Sequence, residues 1–140
     1  MNTAELLDKL KGTPPETFSR YPVLFAYVYG SCATGTIHPF SDLDIGVFLD
    51  PKSAEDLLDC ELDLALEIDR DLDHAIEADV RAINDLPLMF LGRILTEGVL
   101  VYSRDESTRV EFEVQTRKKF FDFMPVIHDY RKAYVKAARR

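Results

Sequence analysis

Two aspartates separated by one residue, Asp42 and Asp44, carry the clearest chemistry in this chain. They fall in a run from Ser41 to Leu49 that alternates like a strand. Asp42 and Asp44 share one face with Gly46 and Phe48, while Leu43, Ile45, Val47 and Leu49 share the other. Side chains two apart on a strand stand roughly 7 Å apart at the Cα atoms. Two parallel carboxylates at that spacing suit a pair of divalent cations about 3.5–4 Å apart. Upstream, the apolar run Val23 to Tyr29 ends at Gly30-Ser31. Gly30 permits a close backbone approach, and Ser31 suits a helix N-cap whose hydroxyl and following amides face an anion. A third run, Ala75 to Ile83, repeats the pattern. Ile76, Ala78, Val80 and Ala82 alternate with Glu77, Asp79, Arg81 and Ile83. Acids on one open face of two strands repel one another unless a cation or a partner occupies that face.

The elements that must position these residues follow from periodicity. Residues 2–10 suggest an amphipathic helix with Leu6, Leu7 and Leu10 inward, ended by Thr13-Pro14-Pro15, and a short turn precedes Tyr21-Pro22. Asp50-Pro51 closes the acidic strand. Ser53 caps a helix whose expected inner stripe is Leu58, Leu62, Ala65 and Leu66. Its many acids (Glu55, Asp56, Asp59, Glu61, Asp63, Glu67, Asp69) read mostly as a solvated face. Asp85 as N-cap and Pro87 in the first turn start a helix with Leu88, Leu91, Ile94 and Leu95 inward, which Gly98 stops. Val99 to Tyr102 is a last strand. From about Glu106 the chain reads as helix, interrupted at Pro125, with an aromatic side of Phe112, Phe120, Phe121, Phe123, Tyr130 and Tyr134 that suits either core or a partner.

Gly30-Ser31, ten intervening residues and then Asp42-x-Asp44 resemble the signature of the DNA polymerase β-like nucleotidyltransferase superfamily. The fuller string, with Ala33, Gly35 and Ser41, is similar to its minimal bacterial branch, the MNT domain proteins, which form the antitoxin half of HEPN/MNT toxin–antitoxin pairs. The resemblance extends to about Tyr102. It implies an α/β (α+β) nucleotidyltransferase fold: a small mixed sheet, helices on one face, and an open acidic active-site face. It also implies that Asp42, Asp44 and a third acid hold two Mg²⁺ ions and act in catalysis. Asp79 is the favoured third acid and Glu77 the reserve. Gly30 and Ser31 would bind the phosphates of ATP. The implied reaction places AMP on a tyrosine hydroxyl of a HEPN-type toxin. Cys32 departs from the arginine or bulkier residue common after Gly-Ser in the family, which puts any side-chain phosphate contact there in question.

Composition bounds these readings. The 140 residues fit one domain, with a core over about 1–104 and a helical segment over about 105–140. Two cysteines, no apolar run near the ~20 residues of a membrane span, and no signal-peptide core suggest a reduced, cytoplasmic protein. A net charge of −8 disfavours direct nucleic-acid binding. The charge is uneven: residues 106–140 hold nine Lys/Arg against five Asp/Glu. A basic segment on an acidic body suits either a docking surface or a solvated helix. His38, His74 and His128 fit no metal-ligand spacing. Three functions remain: a protein adenylyltransferase of the antitoxin type, a module that neutralises its partner by contact, and a small-molecule nucleotidyltransferase of the antibiotic-modifying type. A homodimer is compatible with each.

Overall fold

The computed structural model describes residues 3–12, 14–30, 33, 43–53, 57–74 and 76–138. Helices α1 (Thr3–Gly12) and α2 (Pro14–Ser19) precede strand β1 (Val23–Tyr29). Strand β2 (Leu43–Leu49), helix α3 (Leu57–Asp71) and strand β3 (Ala78–Ala82) follow. Helix α4 (Leu88–Glu97), strand β4 (Val99–Ser103) and helix α5 (Glu106–Ala138) complete the chain. The sheet runs β3-β2-β1-β4; β1 pairs antiparallel with β2 and with β4, and β2 pairs parallel with β3. A parallel pair needs a crossover, and α3 supplies it.

Alternation decides which side chains each face buries. Leu43, Ile45, Val47 and Leu49 of β2, with Ala78, Val80 and Ala82 of β3, pack against Leu10, Phe18, Leu64, Ile68 and Leu72 from the first three helices. The opposite face carries a smaller cluster. There Phe25 and Tyr27 of β1 meet Leu91, Ile94 and Leu95 of α4, with Phe48 and Phe112 at its border. The Phe25 ring stacks on Phe48 at 4.8 Å between centroids, and Phe112 tilts against both. The acid-bearing face is therefore covered beside its acidic end by α4 and the start of α5. Ile83, which alternation groups with the polar side chains, is fully buried in this cluster.

Tyr27 is buried and its hydroxyl donates to Glu113 Oε1 at 2.6 Å, which fixes α5 to the sheet. Burial, and then that carboxylate, hold the phenol far above its usual range. Gly92 lets α5 cross α4 closely, because a Cβ there would strike the Phe120 ring. Asn84 ties the end of β2 by accepting from Leu49 N–H at 2.9 Å and donating to Leu49 C=O at 2.7 Å.

Several local expectations are corrected. The buried stripe is Leu64 and Ile68 of α3 with Leu72 just after it, while Leu58, Leu62 and Leu66 lie 56–63% exposed. Both sets satisfy a four-residue spacing; β3, which lies beside α3, decides which one faces inward. Three of the acids on α3 are not simply solvated. Glu61 accepts from Ala82 N–H at 2.7 Å, Asp69 accepts from Ala78 N–H at 3.1 Å, and Glu67 accepts from the Tyr21 hydroxyl at 3.1 Å. β3 is an edge strand, so Glu61 and Asp69 cover amides that would otherwise offer a pairing site. Pro87, not Asp85, occupies the N-cap of α4. Pro125 lies inside a continuous α5 and does not end it. Helix α1 runs to Gly12 and α2 begins at Pro14, so the two prolines open a helix, while Thr13 lies outside the described residues. Ser53 is described, but the turn that would follow it, residues 54–56, lies outside the described residues.

Candidate active site

The site sits where β1, β2 and β3 end together. Parallel pairing sets Asp44 opposite Asp79, with Leu43 opposite Ala78 and Ile45 opposite Val80. Residues opposite one another in a sheet point to the same side, about 4.8 Å apart between strands. Two carboxylates thus stand side by side on the face away from the main core. Asp44 is half-buried and Asp79 exposed. Glu77 lies just before β3 and is exposed; its backbone carbonyl accepts from Leu43 N–H at 2.7 Å. Asp42 and Ser31, like Cys32 and His38, lie outside the described residues.

On the other flank of β2, Tyr29 pairs with Asp44 across the antiparallel ladder. Gly30 follows with φ +71°, a left-handed conformation that favours glycine. A Cβ built on Gly30 would come within 2.5 Å of Asp44 Oδ2. Two demands therefore fall on this position: the turn needs positive φ, and the carboxylate needs the space. Gly30 thereby lets the backbone at the end of β1 come close to the Asp44 carboxylate.

A cavity of about 190 Å³ opens beside Asp44, lined by Tyr29, Gly30, Phe90, Arg93, Ile94 and Glu97. Phe90 meets Tyr29 edge-on at 5.6 Å. The Arg81 guanidinium lies over the Phe90 ring, 5.6 Å from its centre. Cation and ring attract in that arrangement. The Tyr29 phenol is pushed up from 10.0 to about 12, chiefly by burial, then by the Asp44 carboxylate, with Arg81 opposing. The phenol is thus neutral at physiological pH.

Of the residues singled out from sequence, the structure brings together Gly30, Asp44 and Asp79, and it places Arg81 on the same side. It adds Tyr29, Phe90, Arg93 and Glu97. The last three had a signal: residues 90, 93, 94 and 97 repeat at helix-face spacing, but their direction depends on how α4 crosses the sheet. Among the described residues no group of three His, Cys, Asp or Glu side chains is gathered as a metal site. The donor chemistry still fits a hard cation, since the carboxylates in register offer only oxygen.

The family model described as Polymerase beta, Nucleotidyltransferase matches residues 15–107. The chain belongs to this nucleotidyltransferase family. The match spans β1 to the start of α5 and so includes every residue of the site. No curated protein matches the sequence. Several solved structures share the fold across nearly the whole chain. One, a toxin–antitoxin with AMP-PNP, is 17% identical with TM-score 0.56 and covers 100% of both chains. An MntA–HepT toxin–antitoxin is 15% identical with TM-score 0.52, over 99% of this chain and 97% of the other. A tri-AMPylated Shewanella oneidensis HEPN toxin in complex with MNT antitoxin is 16% identical with TM-score 0.52, over 98% and 92%. At such identities the likeness is one of fold. The nucleotidyltransferase architecture expected from the Gly-Ser and Asp-x-Asp pattern is the one the chain adopts, and a mixed four-stranded sheet carries it. No helix among the described residues is long and apolar enough to cross a membrane.

Proposed function

We propose that this chain is an Mg²⁺-dependent nucleotidyltransferase of the MNT antitoxin type, moving AMP from ATP to a tyrosine hydroxyl of a HEPN-type toxin. The observation that carries the reading is the register of Asp44 with Asp79, flanked by a glycine whose missing side chain makes room for Asp44. Family membership supports the reaction class. The toxin–antitoxin neighbours, one with AMP-PNP and one with an AMPylated toxin, support the nucleotide and the acceptor.

Asp42, Asp44 and Asp79 would hold the metal. When bound, Mg²⁺ offsets charge on the departing pyrophosphate and lowers the pKa of the attacking hydroxyl. The chain's own residues do the rest. The turn at Gly30 and Ser31 would present backbone amides to the β- and γ-phosphates. Asp79, exposed on the edge strand, would accept the hydroxyl proton of an incoming acceptor. The hydroxyl oxygen bonds to the α-phosphorus, the bond from that phosphorus to the pyrophosphate oxygen breaks, and pyrophosphate leaves. Phe90 and Tyr29 offer aromatic walls to a ring held beside Asp44.

The test is transfer of label from α-labelled ATP with Mg²⁺ to co-purified partner, for wild type and Asp44→Asn. Label on a partner tyrosine, absent with the variant, supports the reading. No label on any protein, with partner binding intact in both forms, refutes it and leaves neutralisation by contact.

A further inference from the structure

Helix α5 outruns the body it packs on. Thr116, Phe120, Phe123, Ile127, Tyr130 and Tyr134 recur at intervals of four and three residues, the seam by which one helix packs along another. The first two are engaged: Thr116 is buried and Phe120 fills the space left by Gly92. Beyond them Phe123 is 43% exposed, Ile127 half-buried, and Tyr130 and Tyr134 stand open at 75% and 70% exposure. A second uncovered stripe lies elsewhere, in Leu58, Leu62 and Leu66 of α3.

These two surfaces differ in charge. Residues 123–138 hold three Lys/Arg and one Asp, whereas the acids beside the α3 leucines are Asp59 and Asp63, since Glu61, Glu67, Asp69 and Asp71 are engaged with β3, Tyr21 and Thr17. Asp59 and Asp63 follow Leu58 and Leu62 directly. The stripes also match in length: Leu58 to Leu66 spans about 12 Å of helix and Phe123 to Tyr134 about 16 Å. We infer that the C-terminal half of α5 docks on the α3 leucine stripe of a second copy of this chain. Pairing α5 with α5 would oppose two basic helices, and pairing α3 with α3 two acidic ones. Only the mixed pairing joins apolar seams with opposite charge. Two such contacts related by a two-fold axis would close a dimer, each copy giving one arm and receiving one. The inference stands apart from the catalytic reading. It would survive the loss of that reading, because no residue of the active site is used.

Sedimentation velocity on the full chain tests it, with far-UV circular dichroism as a check on folding. Wild type should be dimeric at high micromolar concentration, and dissociation should ease as salt rises. Leu62→Asp and Tyr130→Asp each alter an exposed position, so each should fold, and each should weaken the dimer by at least about tenfold. An equimolar mixture of the two variants should recover a mixed dimer, since one chain keeps an intact arm and the other an intact stripe. Asp63→Lys with Lys132→Glu supplies a second route, each weakening association alone. A monomeric wild type overturns the proposal. So does a dimer indifferent to Leu62→Asp, which would mean that arms pair with arms, or a variant mixture that stays monomeric.

Discussion

Asp44 is the residue on which the site converges. It stands beside Asp79, faces Tyr29, and occupies the space Gly30 leaves. Asp44→Asn removes a charge without changing shape, so transfer should fall by about 10²–10⁴-fold while thermal unfolding stays near wild type. The same variant tests the electrostatics. Asp44 helps hold the Tyr29 phenol up at about 12. Ultraviolet titration should find that phenol lower in Asp44→Asn and unchanged in a distant control. The pH consequence has a definite sign. A phenol raised in the folded state stabilises the fold fully below its ordinary 10.0, and that contribution is lost as pH rises through about 12. Gly30→Ala should harm both fold and activity. It puts an L side chain at φ +71° and a methyl against a carboxylate, and should cost on the order of 1–3 kcal/mol in chemical denaturation.

At the scale of elements, α3 does more than cross over. Glu61 and Asp69 satisfy the outer amides of β3, the strand that carries Asp79. Glu61→Ala should expose the Ala82 amide and cost about 1–3 kcal/mol, visible as faster hydrogen exchange at Ala82 than at central β1 positions. Helix α5 tolerates Pro125 because that part of the helix is exposed and its unpaired carbonyl can meet water. Pro125→Ala should raise helix content without altering nucleotide transfer. These two elements also show where sequence reading succeeded and failed. Val23–Tyr29 is bounded by a proline and a glycine and was legible to the residue. So was the inward face of β2, because a period of two leaves only two choices. Around α3 two apolar stripes compete, Leu58, Leu62 and Leu66 against Leu64, Ile68 and the following Leu72. Amphipathicity alone favours neither; the packing of α3 along the edge of the sheet selects the second. Pro125 misled for a related reason: a proline's cost inside a helix depends on exposure, which the sequence does not print. The pairing of Asp44 with Asp79 was anticipated as a shared face, but its register needed the parallel ladder. Tyr29 and Phe90 escaped notice because aromatic residues beside strands usually mean core.

On the scale of the whole molecule, an acidic body carries a basic helix, and the acidic end of the sheet concentrates negative charge beside an aromatic cavity. A ligand that binds the folded chain alone shifts unfolding by mass action, about 2.7 kcal/mol at a hundredfold excess over Kd. Mg²⁺ with a non-hydrolysable ATP analogue should therefore raise the melting temperature of wild type and leave Asp44→Asn nearly unmoved.

The parallel pairing of β2 with β3 has one more consequence, which concerns time rather than space. Asp44 and Asp79 belong to strands that cannot meet until the whole of α3 has been made and folded back. Contacts across such long stretches of chain form late, since closing them costs entropy before it returns any. A chain leaving the ribosome thus carries Gly30 and Asp44 well before Asp79 can stand beside them. Competence would arrive as a step, when the edge strand clicks into register, and a truncated or misfolded copy would be silent rather than weakly active.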